Sequence, residues 1–386
     1  MRAAISMVAL MLLMSCMSQE VVDETTTRTV LVYMVADRIL NSNATSNIYS
    51  MNSAIMPGMD KVNLIVYVDR PSIKPALLRI HDRTIDTIMV YDERDSATPE
   101  VLREVIDYTV NRWPAENYGL LMWSHGTGWL PQSHMHFIAS NLGYAQRRTK
   151  TFGRDYMLDD PSKTTTMEMA DMVDAIPDNV FDYIAFDACY MGNVEVLYAL
   201  RHKARYVVSS ACEIMGYGFP YHRITRDLLS GNLMRVCTEF YTYYKNMSGF
   251  DQTGAISLVK TEELDSLARC FRRIVSLSKD SIMKLDLDRV QKLDRFNRRV
   301  FFDLEDLVNN ICDDRDLKIE FQLQLNKAVN YSASTPYLFI GDISQMKVDK
   351  FCGMSVYIPT VEFEDVGLTE IYRQCEWSRD TGLGQN

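Results

Sequence analysis

Phe181-Asp-Tyr-Ile-Ala-Phe-Asp-Ala-Cys-Tyr-Met-Gly192 decides how the chain is read. Its first six residues are mostly apolar without alternation, the pattern of a strand buried on both faces. The run stops at Asp187-Ala-Cys189, and Gly192 to Leu200 then reads as a helix. A strand followed directly by a helix predicts a parallel sheet with helices laid over it. Similar runs recur at Thr29–Val35, Val62–Val68, Tyr118–Trp123 and Tyr206–Ser210, with a weaker one at Ile85–Tyr91. A helix is predicted from Thr98, with Val101, Leu102, Val105, Ile106 and Thr109 on one face and Pro99 in its first turn as a start signal. Another is predicted from Thr166 to Ile176, stopped by Pro177.

The C-terminal third predicts a strand at Gly254–Val259, helices at Glu262–Met283 and Leu317–Tyr331, and strands at Tyr337–Ile340 and Met354–Ile358. No internal repeat and no Pro/Gly/Ser-rich linker divides the body. The expected organisation is a core over 29–250 and, over 251–386, an α/β region that completes the sheet and core.

Composition narrows the function. Hydrophobic residues make up 47% of the 386, enough apolar surface to offset the entropy of ordering, so disorder as the main state is excluded. The formal net charge of −10 argues against broad nucleic-acid binding, which needs a concentrated basic face. Eight cysteines are too few for a disulfide scaffold. Neighbouring cysteines of the body are at least 23 residues apart, which removes the usual zinc and redox spacings.

The N-terminus carries Arg2, then an apolar run from Ala3 to Met14 that is too short for a permanent membrane span and fits the h-region of a secretory signal. It ends in Leu13-Met-Ser-Cys16, which resembles a bacterial lipobox. The expectation is a signal peptide over 1–15, a lipid on Cys16 and a flexible tether over 16–28, placing the protein on the bacterial cell envelope.

In open α/β sheets, sites form at the carboxyl ends of strands. The strand Tyr118–Trp123 runs into Ser124-His-Gly-Thr-Gly-Trp129, and the strand 181–186 runs into Asp187-Ala-Cys189. One imidazole and one thiol thus stand at the ends of strands that could be neighbours. A thiolate attacks carbonyl carbon, an imidazole protonates the leaving amine, and backbone N–H groups at a Gly-containing turn stabilise the oxyanion. The helix following Cys189 is expected to lower its thiol pKa. On spacing alone other readings stay open. Cys189 could be a small core residue, His125 a structural one, and Ser124–Gly128 a phosphate cradle, although no full Gly-x-Gly-x-x-Gly is present.

The two motifs together, Trp123–Trp129 and Phe186-Asp-Ala-Cys-Tyr-Met-Gly192, resemble the clostripain family of cysteine peptidases, which belong to the caspase-like group. The resemblance also takes in Ala36-Asp37, Ser209-Ser-Ala-Cys-Glu213 and Gly353–Pro359. It implies a caspase-like α/β/α sandwich with a mostly parallel sheet. It implies His125 as catalytic histidine, Cys189 as nucleophile, and the Gly126 and Cys189 amides as oxyanion hole. Asp187, and as a second candidate Glu213, would line the pocket for an Arg or Lys before the cut. Family members often cut themselves between the two motifs. Here Arg147, Arg148 and Lys150 are the candidate sites.

Two weaker constellations remain. His134 and His136, read as two histidines on one side of a strand, lack further ligands at metal spacing, and Asp159-Asp160 could give at most a weak calcium contact. No metal site and no required cofactor are expected. The implied protein is a lipid-anchored monomer acting on peptides. Its competitors are a non-catalytic surface lipoprotein that uses the fold as a binding module and a thiol hydrolase or transpeptidase acting on another acyl bond.

Overall fold

The computed structural model describes residues 26–71, 73–138, 152–156, 164–339, 341 and 345–385. The N-terminal half contributes strands β1 (Arg28–Val35), β2 (Val62–Arg70), β3 (Ile73–His81), β4 (Thr84–Val90) and β5 (Asn117–Trp123), with helices α1 (Asn41–Ala54) and α2 (Pro99–Arg112). A short helix α3 (Met135–Ile138) and a hairpin of β6 (Phe152–Tyr156) and β7 (Thr164–Met167) follow, then α4 (Met169–Ala175). Next come β8 (Phe181–Asp187), α5 (Val194–Ala199), β9 (Ala204–Ser209), α6 (Tyr221–Ser230) and α7 (Leu233–Lys245). The remainder adds β10 (Ala255–Lys260), α8 (Leu264–Leu277), α9 (Lys279–Met283), β11 (Phe302–Asp303), α10 (Leu304–Ile311), α11 (Arg315–Ala328) and β12 (Val329–Ser334).

Nine strands form one sheet in the order β12-β10-β9-β8-β5-β1-β2-β3-β4. From β9 to β2 all neighbours are parallel, whereas β10 and β12 on one edge and β3 and β4 on the other are antiparallel. The sheet is therefore mixed, with a parallel centre and antiparallel edges. The β3–β4 link shows the cause. Asp82 and Arg83 both take positive φ, 45° and 61°, and such a two-residue turn only joins antiparallel strands.

Both faces of the sheet are covered, which explains the unbroken apolar runs. Along β1, Leu31, Tyr33 and Val35 enter one core with Leu102, Val105 and Ile106 of α2 and Leu197 of α5. Val30, Val32 and Met34 enter the other core with Ile48 of α1, Ile224 of α6 and Phe240 of α7. Each large side chain buried in this way contributes about 1.5–3 kcal/mol. The result is a three-layer α/β/α sandwich.

Some elements depart from the sequence expectation. The helix predicted from Thr166 starts at Met169, because Thr164–Met167 pairs with β6. The helix predicted to Tyr331 ends at Ala328, and its tail becomes β12, paired with β10. Helices α1, α6 and α7 and strand β3 were not anticipated. Residues 1–25, including Cys16 and the expected signal, lie outside the described residues, as do Arg147, Arg148, Lys150, Asp159 and Asp160.

Candidate active site

Strands β5 and β8 are parallel neighbours, and their last paired residues are Trp123 and Asp187. Two positions beyond each pair partner stand His125 and Cys189. Adjacent strands lie about 4.8 Å apart, so the register delivers the imidazole and the thiol to one spot at the carboxyl edge of the sheet. Both line a cleft of about 390 Å³, together with Ile39, Leu40, Asp187, Glu213 and Met215. Two bonds extend the strand ends toward it: Ser124 N–H donates to Asp187 O at 3.3 Å, and Ser124 Oγ donates to Val35 O at 2.6 Å.

The turn after His125 has little room. A Cβ added at Gly126 would lie 2.5 Å from the carbonyl oxygen of Cys189 and 3.1 Å from the Ala188 side chain. Only glycine lets the two strand-end turns approach this closely. Gly126 also bridges to Phe152 of β6, and Gly153 N–H donates to His125 O at 3.4 Å, so the hairpin β6–β7 is laced to the histidine turn.

Cys189 is half-buried and free of disulfide. Ile214 N–H donates to its Sγ at 3.3 Å, and the Ile214 carbonyl lies 3.6 Å from the sulfur as acceptor. Burial first, and then the Glu213 carboxylate, push the thiol up to about 12. This corrects the expected lowering by a helix start. Helix α5 begins only at Val194, capped by Asn193, whose side chain accepts the Val196 N–H at 3.0 Å. The turn between them carries Tyr190 at φ 60°, so the cysteine does not face the helix N-terminus in its first turn, where the dipole acts. At rest the nucleophile candidate is a neutral thiol.

His125 has a partner that sequence reasoning did not single out. Its Nε2 lies 3.2 Å from Oδ2 of Asp37, a carboxylate with no exposed side-chain surface. The approach is an ion-pair contact rather than an aligned hydrogen bond. Asp37 follows β1, the other neighbour of β5, and its Oδ1 accepts the N–H groups of Ile39 at 2.9 Å and Leu40 at 3.0 Å. The available signal was position: a carboxylate two residues past the end of a fully buried strand.

Asp187 is buried. Its Oδ2 accepts the Phe219 N–H at 2.8 Å and the Tyr221 hydroxyl at 2.7 Å. Burial pushes its carboxyl up to about 6, against the lowering effect of those two donors. Gly218 closes over it: an added Cβ there would lie 2.4 Å from Oδ2, and φ is +71°. Glu213 lines the same cleft, yet its Oε2 receives Arg295 Nε at 2.7 Å. Its charge is matched inside the protein, so the two pocket candidates are not equivalent.

The histidine pair is not on a strand. His134 ends a 3₁₀ turn and His136 lies in α3. His134 Nε2 contacts Val366 O at 2.9 Å, and the His136 ring packs on Phe137 at 3.6 Å between centroids. His136 is exposed, and among the described residues no group of three or more His, Cys, Asp or Glu gathers to hold a metal. Cys212, Cys237, Cys312, Cys352 and Cys375 are buried, while Cys270 is half-exposed; all six are free.

An α/β/α sandwich with a histidine and a cysteine at the carboxyl ends of adjacent parallel strands is the arrangement of caspase-like cysteine peptidases. The model of the clostripain family matches residues 32–332, and the chain belongs to that family of cysteine peptidases. It is 29% identical over 145 residues to clostripain of Hathewaya histolytica, covering 36% of this chain and 26% of that protein's length. Among solved structures it is similar to an inactive zymogen C11 protease from Parabacteroides distasonis, with 31% identity, a TM-score of 0.78, and coverage of 92% of this chain and 98% of that one. It is also similar to a secreted C11 cysteine protease from Bacteroides thetaiotaomicron in complex with an irreversible peptide inhibitor, with 27% identity, a TM-score of 0.76, and coverage of 92% and 99%.

Proposed function

We propose that this chain is a cysteine endopeptidase that cleaves after Arg or Lys through His125 and Cys189. The observation that carries the reading is one cleft that holds both side chains and the buried Asp187 carboxylate. A substrate cation would seat against Asp187, which is charged above about pH 6. Glu213, matched by Arg295, would border this pocket rather than hold the cation.

Because the thiol is neutral at rest, its proton passes to His125 as the sulfur attacks, rather than before substrate arrives. Nδ1, the ring nitrogen remote from Asp37, receives it, and Asp37 stabilises the imidazolium. The Sγ–C bond forms, and the oxyanion falls to the Gly126 and Cys189 N–H groups. The imidazolium then gives its proton to the leaving amine as the C–N bond breaks. Water, deprotonated by His125, hydrolyses the thioester and restores the thiol.

A fluorogenic peptide panel varying the residue before the cut tests this. Turnover of Arg and Lys peptides that vanishes in Cys189→Ala supports it. Turnover of neither, with Cys189 reactive toward other acyl donors, favours the thiol hydrolase or transpeptidase, and no reactivity at all favours the binding module.

The same reading includes self-cleavage after Arg147, Arg148 or Lys150. It is supported by the lacing of β6, which starts at Phe152, to the histidine turn, and by a relative described as a zymogen. Parent protein should yield two fragments, and Cys189→Ala should remain one chain. We further propose a monomer, with a lipid on Cys16, facing the periplasm or cell surface; a relative is described as secreted. Labelling with a fatty-acid probe that is lost in Cys16→Ala tests the anchor, and activity unchanged by a calcium chelator tests the absence of a cofactor requirement.

A further inference from the structure

The last third of the chain reaches the nucleophile at a point that the reaction above leaves unexplained. Asp294, wholly buried, draws residues 294–301 into a closed loop. Its Oδ1 accepts the Phe296 N–H at 2.9 Å, and its Oδ2 accepts those of Val300 at 2.9 Å and Phe301 at 2.7 Å. Leu293 N–H donates to Phe301 O at 2.8 Å and closes the neck.

Three side chains of this loop rest on the segments that flank Cys189. The rings of Phe296 and Phe301 each lie 5.1 Å from that of Tyr190, the residue after the nucleophile. Tyr190 sits in the left-handed region at φ 60°, a conformation that a non-glycine residue keeps only where its surroundings enforce it. Its N–H donates to Cys212 O at 3.0 Å, and its carbonyl accepts Asn193 Nδ2 at 2.5 Å. On the other side, the Arg295 side chain is 3% exposed and pairs with Glu213, and its guanidinium lies over the Phe339 ring at 3.5 Å from the centroid. Glu213 immediately precedes Ile214, whose N–H holds the thiol.

We propose that the Asp294–Phe301 loop is a clamp that positions the nucleophile, with Arg295 acting through Glu213 and Phe301 acting through Tyr190. Both are positioning residues. The proposal rests on Cys189 being the nucleophile. The charged and titratable groups facing the thiol are His125 after β5, Asp187 from β8, Tyr190 beside the cysteine, Cys212 and Glu213 from the segment after β9, and Arg295 from the clamp. Glu213 and Asp187 oppose a thiolate, and Arg295 favours one. Removing Arg295 therefore both loosens the Glu213-Ile214 segment and leaves a carboxylate uncompensated beside the sulfur.

The test uses the full chain as parent, Arg295→Met, Glu213→Gln, the double variant and Phe301→Leu, each checked for cooperative thermal unfolding. Peptide mapping follows the rate of Cys189 alkylation by iodoacetamide at about pH 8.5, where that rate scales with the thiolate fraction, and kcat and KM are taken on one basic peptide. Arg295→Met should slow alkylation about 10-fold or more. Its kcat should fall about 10- to 100-fold with little change in KM. The double variant should return the alkylation rate to the parent's or above, and Phe301→Leu should lower kcat without changing that rate. A folded Arg295→Met with the parent's alkylation rate and kcat overturns the proposal. Should Arg295→Met not fold, Glu213→Gln decides: its alkylation should be faster, and an unchanged rate overturns the proposal. If Cys189 of the parent is never alkylated, the nucleophile reading itself fails.

Discussion

His125 and Cys189 leave neighbouring strands at the same level, yet they are braced from opposite ends of the chain. The histidine turn is held largely by chain that precedes it: Asp37 after β1 and the Ser124 bond to Val35, with the Gly126 bridge to β6 beside them. The cysteine turn is held by chain that follows it: Ile214 on the sulfur, Cys212 on Tyr190, and the aromatic rings and guanidinium of the 294–301 loop. The two sides also differ in electrostatics. A buried carboxylate lies 3.2 Å from the imidazole, whereas burial and Glu213 favour the neutral state of the thiol.

Substitutions at the two sides should therefore break different things. The largest effect belongs to Cys189→Ala, which should lower kcat by about a millionfold, to the floor of a peptide assay. Asp187→Asn keeps an oxygen for the Phe219 and Tyr221 donors but loses the charge. It should fold and yet lower kcat/KM for Lys and Arg peptides by about 100-fold or more, as when one partner of a buried charged pair is removed. In the parent, the same kcat/KM should fall as pH drops through about 6, where Asp187 gains its proton. Asp37→Asn sharpens the comparison from the other side. It should cost about 10- to 100-fold in kcat, part of the general acid–base contribution, and leave the rate of Cys189 alkylation nearly where it was.

The smallest expected effect lies away from the chemistry. Glu195 in α5 is buried, its Oε1 accepts the Tyr357 N–H at 2.9 Å, and burial pushes its carboxyl up from 4.5 to about 7. A raised carboxyl contributes stability below its unfolded value and loses it as pH rises through the folded one. Parent stability should thus decline between about pH 4.5 and 7. Glu195→Gln should flatten that decline, by about 1–3 kcal/mol in chemical denaturation at pH 8. An equal slope in both proteins would contradict this.

What could be read from the sequence follows the same division. The ends of β5 and β8 were legible because each is an apolar run that stops at a short polar motif, and those motifs match a family. The parallel centre was legible for the same reason. Helix α1 was not: Asn41-Ser-Asn-Ala-Thr-Ser-Asn47 is poor in helix formers, and its buried side carries Asn47 among the apolar Ala44, Ile48, Met51 and Ala54. Strand β12, Val-Asn-Tyr-Ser-Ala-Ser, has too few apolar residues to stand out and is specified by its pairing with β10. In the site, Asp37 was quoted only as part of a motif, because nothing in one sequence tells that β1 and β5 are neighbours. The Arg295–Glu213 pair spans 82 positions, and no spacing rule reaches that far. The acidity of the thiol was misread because the sequence places a helix after Cys189 without showing that the turn through Tyr190 comes first.

The central claim is that His125 and Cys189 work as one nucleophilic site opposite a carboxylate pocket. Mass spectrometry after treatment with a lysyl peptide acyloxymethyl ketone tests it most directly. The expected result is a single thioether adduct on Cys189, absent in Cys189→Ala and strongly slowed in His125→Ala and Asp187→Asn. No adduct on the folded parent, or an adduct on any other cysteine at the same rate, would contradict it.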